Sequence, residues 1–79
     1  MRNIEKYNKI FMDIFEVKEE QLDEKLEYQS ILEWDSVGHM SLVAEIEEVF
    51  GIMLETDDII DFSSYEKGKE ILGKLGVTF

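Results

Sequence analysis

The fold is decided by residues 33–51, which read EWDSVGHMSLVAEIEEVFG. The residues before Val37 are mainly polar, and from Val37 to Phe50 apolar side chains recur at the spacing of one helix face. A serine at such a junction is a good helix N-cap, because its hydroxyl accepts a hydrogen bond from an unpaired backbone N–H. We therefore expect a helix from Ser36 to Phe50, capped by Ser36 and closed by Gly51.

Two segments precede this helix. Apolar residues share one face from about Asn3 to Glu16, which predicts an amphipathic helix. The polar segment Lys18–Ser30 is long for a connector in a small domain, so we expect it to be functional or to contain a short helical turn. Its anchors are Leu22, Leu26 and Tyr28.

A short third helix is expected beyond Gly51. Thr56-Asp57-Asp58 has the composition of a helix N-cap, since Thr and Asp side chains accept bonds from backbone N–H groups. The helix is predicted from Asp57 to Phe62, with Ile59, Ile60 and Phe62 turned inward.

A last helix is expected from Tyr65 to Leu75, with Ser63-Ser64 as its N-cap. Gly68 inside it indicates either close packing or a weak helix. Residues 1–79 are thus predicted to form a single all-α domain. Its architecture would be a small four-helix bundle with a short third helix and a long loop between helices one and two.

Composition limits the class of protein. A chain of 79 residues buries only about 60–65% of its unfolded surface, and without cysteine it has no disulfide or thiolate metal site to reinforce a thin core. No signal peptide opens the sequence, and no run of about 18 apolar residues could span a membrane. We expect a soluble, cytoplasmic monomer.

Acidic residues dominate the middle of the chain. The net charge is −11, and from Glu27 to Glu66 there are eleven acidic residues and no lysine or arginine. Nucleic acid is disfavoured as a partner, because phosphate binding needs clustered cations. The acidic middle suits basic protein partners, although a merely solvated surface would have the same composition.

The sequence contains no pattern typical of a catalytic site or of a metal site. A serine nucleophile needs a base that is itself oriented, and the single histidine, His39, lacks an evident orienting partner and is expected at the surface. The residues around Ser36 also lack the G-x-S-x-G pattern. Asp57, Asp58 and Asp61 do not have the spacing of a calcium loop, so neither a catalytic nor a metal site is expected.

Residues 34–43, WDSVGHMSLV, and residues 46–52, IEEVFGI, together resemble the acyl carrier protein family. That family has an Asp-Ser-Leu-like tripeptide at the start of its second helix and an E-E-x-F-like sequence near the end of that helix. The expected helices and the long loop on either side match as well, so the resemblance spans essentially the whole chain.

The resemblance implies that Ser36 is the attachment site of 4′-phosphopantetheine. A phosphopantetheinyl transferase would add it from coenzyme A with Mg²⁺, and the thiol of the arm would carry acyl or aminoacyl groups as thioesters. A phosphate is also electrostatically favoured at a helix N-terminus. The protein would then be a carrier rather than an enzyme, working with a loading ligase or transferase and with downstream enzymes that have basic docking surfaces.

Five residues near Ser36 are candidate contacts for these partners. Asp35 adds charge for the transferase, or simply stabilises the helix N-terminus. Val37 and Met40 are either exposed apolar contacts or core residues. Glu47 and Glu48 resemble the family's docking carboxylates, with a solvated face as the alternative.

Some positions depart from carriers of fatty-acid synthesis, which often have acidic residues where this chain has Gly38 and Ser41 and a small residue where it has Trp34. Trp34 is expected to anchor the long loop, with direct recognition by a partner as the alternative. The departures favour a dedicated carrier in a specialised pathway over housekeeping fatty-acid synthesis, with fatty-acid-like and polyketide-like pathways both open. Two other functions are considered: an acidic helical adaptor for a basic protein, without a prosthetic group, and a serine hydrolase.

Overall fold

The computed structural model describes residues 2–79, and within them the chain forms four α-helices and no strands. The α-helices are α1 (Asn3–Phe15), α2 (Ser36–Phe50), α3 (Thr56–Asp61) and α4 (Tyr65–Lys74). A single 3₁₀ turn, Glu19–Gln21, lies in the long connection between α1 and α2. The predicted all-α class, the short third helix and the long first loop are confirmed.

Helices α1 and α2 supply much of the core. The buried residues of α1 are Tyr7, Ile10, Phe11 and Phe15, and those of α2 are Leu42, Val43 and Ile46. Both helices end on a residue with left-handed backbone, Glu16 (φ 55°) after α1 and Gly51 (φ 64°) after α2. The predicted role of Gly51 is confirmed, and its N–H donates to the Glu47 carbonyl.

The long connection is fastened to the junction between α3 and α4. The Tyr28 N–H donates to the Ser63 carbonyl at 2.8 Å, and the Tyr65 N–H donates to the Leu26 carbonyl at 2.9 Å. Of the predicted anchors, Leu26 is buried, whereas Leu22 and Tyr28 are half-buried. These contacts place Tyr28 in a fixed position eight residues before α2.

Two details of α3 differ from prediction. The helix begins at Thr56 with Glu55 as its N-cap, and no side chain caps it by hydrogen bonding. Ile60, predicted to face inward, is 71% exposed, whereas Phe62 is buried and Ile59 is half-buried. Adjacent helical residues point about 100° apart, so a helix of this length turns only one of Ile59 and Ile60 toward the core.

Helix α4 begins as predicted, with the Ser64 hydroxyl accepting a hydrogen bond from the Lys67 N–H at 3.0 Å. A Cβ at Gly68 would collide with the Tyr7 hydroxyl and the Phe62 ring, so close packing explains that glycine. The buried Tyr7 hydroxyl donates to the Tyr65 carbonyl at 2.7 Å. Burial raises the pKa of Tyr7 well above its ordinary value, and Tyr65 raises it further.

Candidate functional site

Ser36 is the first residue of α2, and its side chain is exposed. The N-cap is Asp35, whose Oδ1 accepts a hydrogen bond from the Gly38 N–H at 2.8 Å. The prediction that Ser36 caps the helix is therefore wrong: the extended backbone of Asp35 lets its carboxylate reach that amide first. The Ser36 hydroxyl is left free of the cap at the positive end of the helix dipole.

Gly38 allows the preceding loop to lie directly on the first turn of α2. A Cβ at this position would collide with the Glu33 carbonyl oxygen and would lie 3.2 Å from Phe15 Cε1. The collision is with backbone, so an alanine would displace the loop that leads into Ser36. The glycine at position 38 thus has a steric cause in this chain.

The Ser36 hydroxyl lies within hydrogen-bond distance of the Tyr28 hydroxyl, with the two oxygens 3.1 Å apart. The sequence identified Tyr28 only as an anchor of the long loop. The contact joins residues eight apart through an irregular segment, and no periodic pattern could have indicated it.

His39 is half-buried and held on both sides, so the prediction of an unoriented surface histidine is wrong. The Trp34 Nε1–H donates to His39 Nδ1 at 3.0 Å, and His39 Nε2 lies 2.8 Å from the Ile59 carbonyl oxygen. Because an indole N–H is only a donor, Nδ1 must accept and Nε2–H must donate. Both nitrogens are engaged, so neither is available as a base for Ser36.

Trp34 joins the start of α2 to the core. Its side chain is fully buried, its ring stacks on Phe15 with centroids 5.1 Å apart, and it meets Phe11 edge-on at 5.6 Å. The Trp34 carbonyl also accepts a hydrogen bond from the Gln29 N–H at 2.9 Å. The expectation that Trp34 anchors the long loop is confirmed.

Apolar residues close to Ser36 in the sequence are exposed. Val37 is 76% exposed and Met40 is 54% exposed, so the alternative that they belong to the core is wrong. Leu32, four residues before Ser36, is 93% exposed and was not singled out from the sequence. Ile60, which follows the residue whose carbonyl binds His39, is also exposed.

The two glutamates near the end of α2 have different surroundings. Glu47 is half-buried, and its Oε2 accepts a hydrogen bond from the Leu54 N–H at 2.8 Å, so this carboxylate holds the connection between α2 and α3. Glu48 is exposed. Of the two predicted docking carboxylates, Glu48 is the one presented freely at the surface.

The ion pairs of residues 2–79 all lie in α1 and α4. They are Lys9–Asp13, Lys67–Glu70 and Lys69–Glu66, each between exposed or half-buried side chains. Within the same residues, no cluster of three or more His, Cys, Asp or Glu side chains could hold a metal ion. The acidic residues from Glu27 to Asp61 are therefore not neutralised by an ion pair in the part of the chain that the structure describes.

No protein-family model matches this sequence, and no curated protein matches it either. None of the helices in residues 2–79 has both the length and the apolar character needed to cross a membrane.

Proposed function

We propose that this protein is an acyl carrier protein whose Ser36 is modified with 4′-phosphopantetheine, and that it is a carrier rather than an enzyme. The observation that supports this most is the separation of two roles at the start of α2. Asp35 caps the helix, while the adjacent Ser36 hydroxyl is exposed and free of the cap. A serine that served only the helix would be expected at the capping position itself.

The proposed modification is a transfer of a phosphoryl-linked arm. A bond forms between Ser36 Oγ and the phosphorus that carries the pantetheine of coenzyme A, and the bond from that phosphorus to adenosine 3′,5′-bisphosphate breaks. The transferase supplies the Mg²⁺ and the base that takes the Ser36 proton. The exposure of Ser36 supports this chemistry, because another enzyme has to reach the hydroxyl.

The start of α2 is suited to the phosphodiester that results. The N–H groups of Ser36 and Val37 have no acceptor in an earlier turn of the helix, as is general for the first residues of a helix. A negative charge there is stabilised by about 0.3–1 kcal/mol. The bound arm would supply a thiol that holds acyl or aminoacyl cargo as a thioester, which this cysteine-free chain cannot do itself.

Exposed apolar and acidic side chains support docking of partner enzymes next to Ser36. Val37 and Met40 are apolar and exposed on the first turns of α2, and Asp35 and Glu48 are exposed carboxylates before and along the same helix. Such a surface complements an enzyme with a basic rim and an apolar centre. The partners proposed are the transferase, a loading ligase or transferase and the downstream enzymes, all in the cytoplasm.

The cargo is proposed to belong to a specialised pathway rather than to housekeeping fatty-acid synthesis. The first two turns of α2 have no carboxylate after Asp35, since Gly38 and Ser41 occupy positions that are often acidic in fatty-acid carriers. The collision at Gly38 keeps any side chain away from that position. A loading enzyme for this carrier would have to recognise apolar side chains there.

The test is the intact mass after incubation with coenzyme A, Mg²⁺ and a promiscuous phosphopantetheinyl transferase. Wild type should gain one arm, Ser36→Ala none, and Ser41→Ala, an exposed serine on the same helix, should gain one arm. Because Asp35 is the cap, Ser36→Ala should keep its stability within about 0.5 kcal/mol. A wild type without a mass gain, or a gain that persists in Ser36→Ala, would contradict the proposal.

The unpaired acidic middle of the chain favours the alternative of an acidic adaptor that binds a basic protein. In that case Ser36 has no covalent role, so the transferase would leave the mass of wild type unchanged. A serine hydrolase is not supported, since both nitrogens of His39 are engaged by Trp34 and Ile59.

A further inference from the structure

We infer that Tyr28 is a positioning residue for Ser36: its hydroxyl holds the Ser36 Oγ toward the long loop and, after modification, donates a hydrogen bond to the phosphodiester. The part of this inference that concerns the modified protein rests on the proposed function. It starts from the 3.1 Å contact between the two hydroxyl oxygens. An exposed serine without such a partner would exchange among its three staggered rotamers.

The backbone of Tyr28 is fixed on both sides of the residue. Its N–H donates to the Ser63 carbonyl at 2.8 Å, which ties it to the start of α4. The next residue, Gln29, has a φ of 67°, a left-handed conformation that is uncommon for a residue other than glycine. The Gln29 N–H donates to the Trp34 carbonyl, so the turn that carries Tyr28 is bonded to the loop that leads into α2.

The strained Gln29 directly follows the residue whose hydroxyl contacts Ser36. Such conformations cost about 1–3 kcal/mol and persist only where the surroundings determine them, often at functional sites. Here a second turn contact holds the strain in place, because the Ser30 hydroxyl donates to the Glu27 carbonyl at 2.6 Å and accepts from the Glu27 N–H at 2.9 Å.

The ring of Tyr28 has a fixed direction as well. It meets the His39 ring edge-on, with centroids 5.5 Å apart and the planes at 70°. His39 is itself held by Trp34 and by the Ile59 carbonyl. The phenol is therefore supported by a side chain that has little freedom to move, and its hydroxyl stays beside Ser36.

Modification changes which hydroxyl donates. In the unmodified chain either oxygen can be the donor. Once the Oγ–P bond has formed and the bond to adenosine 3′,5′-bisphosphate has broken, Ser36 has lost its proton to the base of the transferase. Phosphate oxygens only accept, so Tyr28 O–H becomes the donor and keeps its own proton throughout. It orients the reacting oxygen and takes no part in proton transfer.

The first experiment uses the unmodified protein and does not depend on the proposed function. The three-bond Hα–Hβ couplings of Ser36 are measured by NMR in wild type, Tyr28→Phe and Tyr65→Phe. The Tyr65 variant is the matched control, since it also removes one phenol hydroxyl, which donates to Asn8 away from Ser36. Wild type and Tyr65→Phe should show one dominant rotamer and Tyr28→Phe an average. Averaging in all three, or one rotamer in all three, would overturn the inference.

The second experiment measures transferase kinetics and the ³¹P signal of the modified proteins. Tyr28→Phe should lower kcat about fivefold with little change in KM, which is the effect of losing one hydrogen bond worth about 1 kcal/mol in the transition state. Its ³¹P resonance should move relative to wild type, and that of Tyr65→Phe should not. If modification proceeds but kinetics and ³¹P shift are unchanged in Tyr28→Phe, the inference fails while the carrier function stands.

Discussion

Replacing Gly38 with alanine should destabilise the protein, although alanine is the better helix former. Alanine in a helix interior is favoured over glycine by about 1 kcal/mol. At Gly38 the new methyl group would collide with the Glu33 carbonyl oxygen, and forced overpacking of this kind costs about 1–3 kcal/mol. The two effects oppose each other, so the expected net loss reaches about 2 kcal/mol.

Gly73→Ala provides the matched control, because Gly73 also lies in a helix and its Cβ would meet nothing within 4 Å. That variant should be stabilised by up to about 1 kcal/mol, less if the last turn of α4 frays. Each variant replaces a glycine in a terminal helical turn with alanine, so the difference between them mainly reflects the collision. We expect this difference to be about 1–3 kcal/mol.

Urea unfolding followed by helical circular dichroism measures both variants against wild type. The midpoint should fall for Gly38→Ala and rise for Gly73→Ala, with an unchanged slope of free energy against urea concentration. A Gly38→Ala protein as stable as Gly73→Ala would refute the reasoning, because it would mean that the loop at Glu33 yields without cost.

Three further predictions concern stability. Glu16→Gly should stabilise the protein by about 0.5–1 kcal/mol and Gly51→Ala should destabilise it by a similar amount, since both residues have left-handed backbone. A variant with the same urea midpoint as wild type would contradict this. Burial raises the pKa of Tyr7 and of Tyr65, so the contribution of these two phenols to stability should be constant below about pH 10, where both states keep the protons, and should fall above it as the unfolded state ionises first. Thermal unfolding across that range should show the fall, and Tyr7→Phe should reduce it. Salt or Mg²⁺ should raise the melting temperature, because a net charge of −11 repels itself; a titration that leaves it unchanged or lowers it would count against this.

Much of the fold follows from local patterns in the sequence. The bounds of α2 were predicted correctly because apolar spacing, a polar junction before Ser36 and Gly51 after Phe50 all agree. The identity of the N-cap residue was predicted wrongly, since Asp35 and Ser36 are both good capping residues and the loop backbone decides between them. Ile60 was placed wrongly because a helix of one to two turns gives too little periodicity to assign a face.

The surroundings of Ser36 depend on contacts that no spacing rule describes. Tyr28 reaches Ser36 from an irregular loop, and His39 binds the carbonyl of Ile59, which is 20 residues away. These residues can be read from the sequence, but the contacts between them cannot. Attachment of the arm at Ser36 stays a prediction until the mass of the treated protein is measured.

Because hydrogen bonds link Trp34 through His39 to Ile59, the intrinsic fluorescence of Trp34 can report on the contact between α2 and α3. Trp34 is the only tryptophan, and its indole is buried with the N–H on His39, so its fluorescence reports one place alone. A ligand or partner that separates α2 from α3 would break the His39–Ile59 hydrogen bond and let water reach the indole. The tryptophan emission would then shift to the red, so separation of α2 from α3 can be observed without a label.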